Sequence, residues 1–291
     1  MTQFPKFSVI IPAYNEEAVI ARCLAELYRG APSDDSMEVI VAANGCNDAT
    51  VEIANAAAPR AQVIDLPHGS KTGAINAANA IASHYPRIYL DADVECSYAA
   101  VSALVEALRE AGCMVAAPAI SLDLARSDWL IKAYYRVWMK QPFASSGNGG
   151  AGCYAMSKAA HEFAGNFPDI IGDDIWIHTR FSPEQKRFVT QTALGDPVFS
   201  TVHPPQTAIQ QIRVEARRQI GNAEVLRLYP SEHEIRPGAQ GGLLSAIRNG
   251  CAPGDIIVHF GMKIVARILA SWSRWRGQSN AWTRDLSSRQ A

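Results

Sequence analysis

The chain has 291 residues, 48% of them hydrophobic and 19% charged, which excludes a disordered chain and suits one large packed domain with room for a small appendage. The formal net charge of −1 supplies no overall basic field, so no nucleic-acid partner is expected. None of the six cysteines (Cys23, Cys46, Cys96, Cys113, Cys153, Cys251) lies in a CxxC pair, which argues against a zinc site or disulfide framework and for reduced thiols in a cytoplasmic protein.

The opening residues lack the charged segment and long apolar run of a signal peptide, and none is expected. "FSVIIP" (7–12) is a short β-branched run closed by Pro12 and predicts a strand. Residues 16–29 space Val19, Ile20, Cys23, Leu24 and Leu27 as a helix does. "MEVIVAAN" (37–44) predicts the second strand, and Asn47 or Asp48 can cap a helix through Ala58. Residues 61–66 predict a third strand, and 71–85 an alanine-rich helix. "RIYLDAD" (87–93) predicts a fourth strand, 98–111 a helix and 113–120 a fifth strand. Strands alternating with helices imply an α/β fold with a mostly parallel sheet covered on both faces.

After Ile120 the pattern loosens. Residues 127–140 look helical, "SSGNGGAGCYAMS" (145–157) is a glycine-rich loop entering a strand, and "GDDIWIHTRF" (172–181) opens a helix. Residues 187–192 and 197–202 read as strands, and 206–229 as a long helix carrying Arg213, Arg217 and Arg218. "PGAQGG" (237–242) is a flexible break before an apolar helix over 255–275. No internal repeat or low-complexity segment is evident.

Asp91 and Asp93 end an apolar strand with two like charges, where open α/β sheets bind ligands. A solvated strand end would be the plain explanation. Two acids around one small residue share a face of an extended segment and can hold a divalent cation through oxygen. The same pattern resembles the DxD of haloacid-dehalogenase phosphatases, with "GDD" as a second acidic motif. That alternative leaves "PAYNEE" without a role.

"FSVIIPAYNEEAVIARCL" resembles the opening of family 2 glycosyltransferases, which have the GT-A fold. Five further segments resemble that family's motifs in the same order: "VIVAANGCNDATVEIA", "HGSKTGAINAAN", "LDADVE", "GNGGAGCYAMSK" and "GDDIWIHTRF". The resemblance covers roughly residues 7–220 and implies a Rossmann-like, mostly parallel but mixed sheet flanked by helices, with a helical C-terminal tail. It divides the chain into a transferase domain over 1–230, with a nucleotide-binding half to about 95 and an acceptor half beyond it, and an extension over 231–291.

The resemblance also implies roles. Pro12, Tyr14, Glu16, Asn44, Lys71, Asp91 and Asp93 would hold a nucleotide-sugar donor, with Pro12 walling the base and Glu16 accepting from ribose. Asn44 stands at or beside the place of the family's base-reading aspartate, which leaves the base open. Asp91 and Asp93 would bind Mn2+ or Mg2+, with His203 as a third ligand. Asp174 would be the catalytic base and Asp173 its neighbour, orienting it or binding acceptor hydroxyls. Gly147, Gly149, Gly150 and Gly152 would meet the acceptor, and Arg213 and Arg217 the diphosphate. The expected activity is inverting transfer to a glycan or lipid-linked acceptor; a sugar phosphatase and a non-catalytic nucleotide-sugar-binding protein are the alternatives.

The tail over 255–276 places His259, Lys263, Arg267 and Arg274 on one narrow basic stripe of a helix. Ile257, Phe260, Ile264, Val265, Ile268, Leu269, Trp272 and Trp275 cover the rest. Two central cations argue against a membrane span. The pattern suits a helix lying in a membrane surface, or one packed on its own domain or in a homodimer.

Overall fold

The computed structural model describes residues 6–33, 36–145, 152–231, 233 and 241–275. Its strands are β1 (Ser8–Ala13), β2 (Glu38–Asn44), β3 (Gln62–Leu66), β4 (Arg87–Leu90), β5 (Val94–Cys96), β6 (Val115–Leu122), β7 (Cys153–Met156), β8 (Lys186–Val189) and β9 (Phe199–Val202). Its helices are α1 (Ile20–Tyr28), α2 (Thr50–Ala57), α3 (Lys71–Ile81), α4 (Tyr98–Ala107), α5 (Trp129–Trp138), α6 (Pro142–Ser145), α7 (Lys158–Ala164), α8 (Asp173–Arg180), α9 (Ala208–Leu228), α10 (Leu243–Arg248) and α11 (Pro253–Trp275).

One mixed sheet runs β3-β2-β1-β4-β7-β6-β9-β5, with β8 beside β6. β1 is buried along its whole length because parallel neighbours flank it and helices cover both faces. Its side chains alternate between two cores. Val9 and Ile11 pack in one with residues of α1, α2 and α4, while Ile10 packs in the other with α3 and α8. The chain leaves β1 to pair with β2 on one side and returns through β4 on the other, which opens a crevice at the carboxyl ends of these strands.

The expected strand over 87–93 stops at Leu90. Asp91 to Asp93 form a turn in which the Val94 amide donates to the Asp91 carbonyl at 3.1 Å, and the chain re-enters the sheet as β5. The two acids therefore flank a turn and do not share a face of an extended strand. β5 then pairs with β9, more than one hundred residues away in sequence, a pairing that no local pattern announces.

α11 packs on α5 and α9. Ala266 and Ala270 are buried against Ala216 of α9, the small residues letting the helices approach closely. It begins two residues before the expected cap, and Asp255 forms a bidentate pair with Arg136 of α5, both bonds at 2.7 Å. The buried His259 ring stacks on Tyr134 and its Nδ1 donates to the Tyr134 carbonyl at 3.0 Å. Burial, with Lys263 and Arg218 nearby, pulls His259 down to about 4 from its ordinary 6.5.

An imidazole that stays neutral in the fold stabilises it fully above pH 6.5 and loses that contribution as pH falls toward 4, where the folded group also protonates. The urea-unfolding free energy is expected to fall across this window by an amount on the order of 3 kcal/mol from this residue. His259→Gln is expected to flatten that slope; an unchanged pH profile would show that His259 does not titrate this way.

Candidate active site

The carboxyl ends of β1 and β4 and the first turns of α3 and α8 converge on a cavity of about 970 Å³. Lys71 is the first residue of α3, whose N-cap Ser70 accepts from the Gly73 amide at 3.0 Å. A cation at that end opposes the helix dipole, so an outside partner must favour it. Two supply that. Lys71 Nζ lies 2.7 Å from Asp91 Oδ1 and 3.1 Å from Asp173 Oδ1. One ammonium thus ties the end of β4 to the start of α8.

Burial pushes both carboxyls above the usual aspartate range. Lys71 pulls each back, while Asp93 and Asp173 add to the rise at Asp91 and Asp174 adds to it at Asp173. For Lys71 burial works against the charge, but Asp173 and Asp91 outweigh it and the net direction is up.

The two expected catalytic acids separate. Both line the cavity with Asp91 and Asp93, but Asp173 is buried against Lys71 whereas Asp174 is half-buried. Gly172, before them, sits against Gly221 of α9, where a side chain would crowd Val225 and the Gly221 backbone. On the other side Gly152, at φ +65°, accepts from the Asp91 amide through its carbonyl at 2.7 Å. A Cβ there would meet Val94 at 2.5 Å and Asp91 Oδ2 at 3.1 Å, so only glycine fits this approach.

The remaining expected site residues divide. Pro12 and Arg217 line the cavity. Tyr14 packs near Gly69, in a loop that hydrogen bonds staple to the turn before α2. Glu16 is buried, its amide donating to Thr50 Oγ1 at 2.7 Å. Asn44 is buried too: its Nδ2 donates to the Ala13 carbonyl at 2.7 Å and to Ala42 at 3.3 Å, so its amide braces the strand ends and does not line the cavity. Arg213 is exposed on α9 and does not line the cavity, although Gln211, Val214 and Arg217 around it do. Gly147, Gly149 and Gly150 lie outside the described residues.

His203 follows β9 and is held on both ring nitrogens by carboxylates, Glu95 at 2.7 Å and Asp123 at 3.3 Å. Arg22 also meets Glu95, at 2.6 Å. Among the described residues no three His, Cys, Asp or Glu side chains form a metal-binding group, so His203 does not complete a set with Asp91 and Asp93. The oxygen donors of Asp91 and Asp93 still suit a hard divalent ion whose other positions a diphosphate would fill.

Sequence reasoning missed Tyr154. It pairs with Tyr89 across β7 and β4 and stacks on it at 5.0 Å, while its hydroxyl is buried without a partner among the described residues on the cavity wall. Burial and then Asp173 push that phenol well up, so it is a neutral donor beside the acids. No sequence signal marks it, since its position follows from strand register.

The family model for glycosyl transferase family 2 matches residues 8–159. The chain belongs to this family. That membership sets aside the phosphatase reading of the DxD segment. No curated protein matches the chain significantly. Among solved structures, a Pyrobaculum calidifontis mannosyltransferase in complex with GDP-Man and Mn2+ is 19% identical with TM-score 0.61, over 97% of this chain and 82% of that one. Glucosyl-3-phosphoglycerate synthase of Mycobacterium tuberculosis, with Mn2+, UDP-glucose and phosphoglyceric acid, is 18% identical with TM-score 0.52, over 76% of this chain and 79% of that one. Both share the mixed sheet flanked by helices; in the family 2 chain described here α11 lies along the α5–α9 face.

Lys71→Met is expected to leave the two carboxylates facing each other and to cost roughly 3 kcal/mol, the low end for a broken buried pair because Asp91 keeps 35% of its side-chain exposure. Adding Asp173→Asn is expected to recover part of that loss. Chemical denaturation of both variants checks it; additive losses would mean the ammonium does not couple the two acids.

Proposed function

We propose that the chain is an inverting, divalent-metal-dependent glycosyltransferase that moves a sugar from a nucleotide-sugar donor to a glycan or lipid-linked acceptor. The observation that carries this reading is the split of the acid pair: both acids line the cavity, Asp173 buried and paired with the Lys71 that also holds Asp91, Asp174 half-buried. The donor would lie across the crevice, its base near Pro12 and Tyr14 and its diphosphate near Lys71, Asp91 and Asp93. Mn2+ or Mg2+ held by Asp91 and Asp93 would supply positive charge against the departing diphosphate. The Mn2+ and sugar nucleotides in the two related structures support that choice.

The acceptor hydroxyl attacks the anomeric carbon as the carbon–oxygen bond to the diphosphate breaks, the bonding pair leaving with the nucleoside diphosphate. Asp174 takes the hydroxyl proton. One carboxylate base and one direct displacement give inversion. Asp173 holds Lys71 in place. The exposed apolar side of α11 supports a protein that works at the inner membrane surface from the cytoplasm.

Two measurements test the reading. Asp93→Ala is expected to lose Mn2+-dependent donor binding by calorimetry while the thermal transition persists; tight metal-dependent binding in that variant contradicts the site. Asp174→Asn is expected to keep donor affinity and lose transfer by about 10²–10⁴-fold, the size of a lost general base. Asp173→Asn is expected to cost less in transfer. Near-normal transfer in Asp174→Asn would move the base to another residue.

A further inference from the structure

α11 buries His259, Met262, Ala266 and Ala270 and leaves its large aliphatic and Trp side chains outside the fold. An amphipathic helix on a globular protein buries its apolar stripe and gives its charges to water. Here Ile257 is 74% exposed, Ile268 65% and Trp275 82%, while His259, Lys263, Arg267 and Arg274 line the same cavity as the acids. α10 packs on α11 and adds exposed Leu243, Leu244 and Ile247.

The inward face of α11 meets Arg217 and Arg218 of α9. Five cations therefore line one wall of the cavity, and the carboxylate within it is Glu215. Glu215 is already engaged by Arg218 at 2.5 Å, Gln219 at 3.1 Å and the Tyr134 hydroxyl at 3.3 Å. Among the described residues Lys263 and Arg267 form no salt bridge. Burial lowers the Lys263 ammonium, and Arg218 and Arg267 lower it further, with Glu215 alone opposing them. With Glu215 as the carboxylate among five cations, the wall carries a net positive charge, and a concave positive wall focuses a field that attracts anions.

The wall is separate from the residues assigned to the donor but within reach of the chemistry. Arg218 and Asp174 line the same cavity, so the wall faces the acid proposed as the base. The cavity also receives Gln141, a buried amide whose nitrogen and oxygen have no partner among the described residues. An acceptor anchored on α9 and α11 would present its sugar at Asp174.

We propose that the α9–α11 wall binds the phosphate or diphosphate of a lipid-linked acceptor, and that the hydrocarbon chain leaves along the apolar outer face of α11 into a membrane surface. This rests on the transfer reading above and names its acceptor class. Charge selects the headgroup, and the outward Ile and Trp side chains select the lipid. The anionic group is an anchor and exchanges no bonds; the acceptor's nucleophile remains a hydroxyl.

The test uses the full chain with EDTA, so that no metal carries a diphosphate to the acids. Calorimetry compares farnesyl diphosphate with inorganic pyrophosphate. Wild type is expected to bind both, farnesyl diphosphate at least about tenfold tighter because its chain buries apolar surface. Arg267→Gln, at an exposed position that spares the fold, and Lys263→Gln/Arg267→Gln are expected to weaken both by about tenfold or more per cation removed. Ile264→Glu/Ile268→Glu is expected to keep pyrophosphate binding and to lose sedimentation with phosphatidylcholine vesicles carrying a polyprenyl diphosphate. Unchanged affinity in the Lys263→Gln/Arg267→Gln variant overturns the wall as an anion site. Equal affinity for the two probes overturns the lipid and leaves a soluble phosphorylated acceptor. Donor binding with Mn2+, measured in the same preparations, keeps the two readings apart: its failure removes the transferase assignment, and its survival with no probe binding removes only the acceptor class.

Discussion

The site depends on one ammonium. Lys71 lies between Asp91, at the end of a central strand, and Asp173, in the first turn of a helix on the far side of the glycine-rich segment. Without it two buried carboxylates would repel at short range in a medium that screens poorly. With it, β4, α3 and α8 are fixed relative to one another before any ligand arrives. Each acid pair then has one member committed to Lys71 and a neighbour, Asp93 or Asp174, that shares the cavity. The like charges that look costly on the page of the sequence are a paired arrangement in the fold.

A second constraint is steric. The Asp91 amide must reach the Gly152 carbonyl, and the start of α8 must lie on Gly221. Both contacts exclude a Cβ or crowd one. They set the distance between the strand that carries the first acid pair and the helix that carries the second. Electrostatics chooses the partners, and glycine lets them come close enough.

The alternating half of the fold was legible because its signals are local. Apolar runs closed by turn residues placed β1 to β4, and the polar residues at their ends marked the crevice. What the residues did not disclose is what distant segments decide. β5 exists because β9 pairs with it. His203 looked available from its neighbours in sequence, yet Glu95 and Asp123 claim both nitrogens. Asn44 stands by resemblance at or beside the base-reading position, and the distant Ala13 carbonyl takes its Nδ2. Tyr154 depends on register alone. The stripe on α11 was visible as a pattern; periodicity says that two faces differ, and only the partners α5 and α9 say which one turns inward.

The α11 packing also has a consequence in time. Arg136 and Asp255, which clamp the helix to α5, are 119 positions apart, and a ribosome makes the acid half of the cavity well before the basic wall. The sheet and its Lys71 clasp can close early, because their contacts lie within the earlier segments. The wall must then dock as a late, long-range step, whose loop closure costs entropy before its contacts repay it. A nascent chain would thus carry the acid side of the cavity before its basic side.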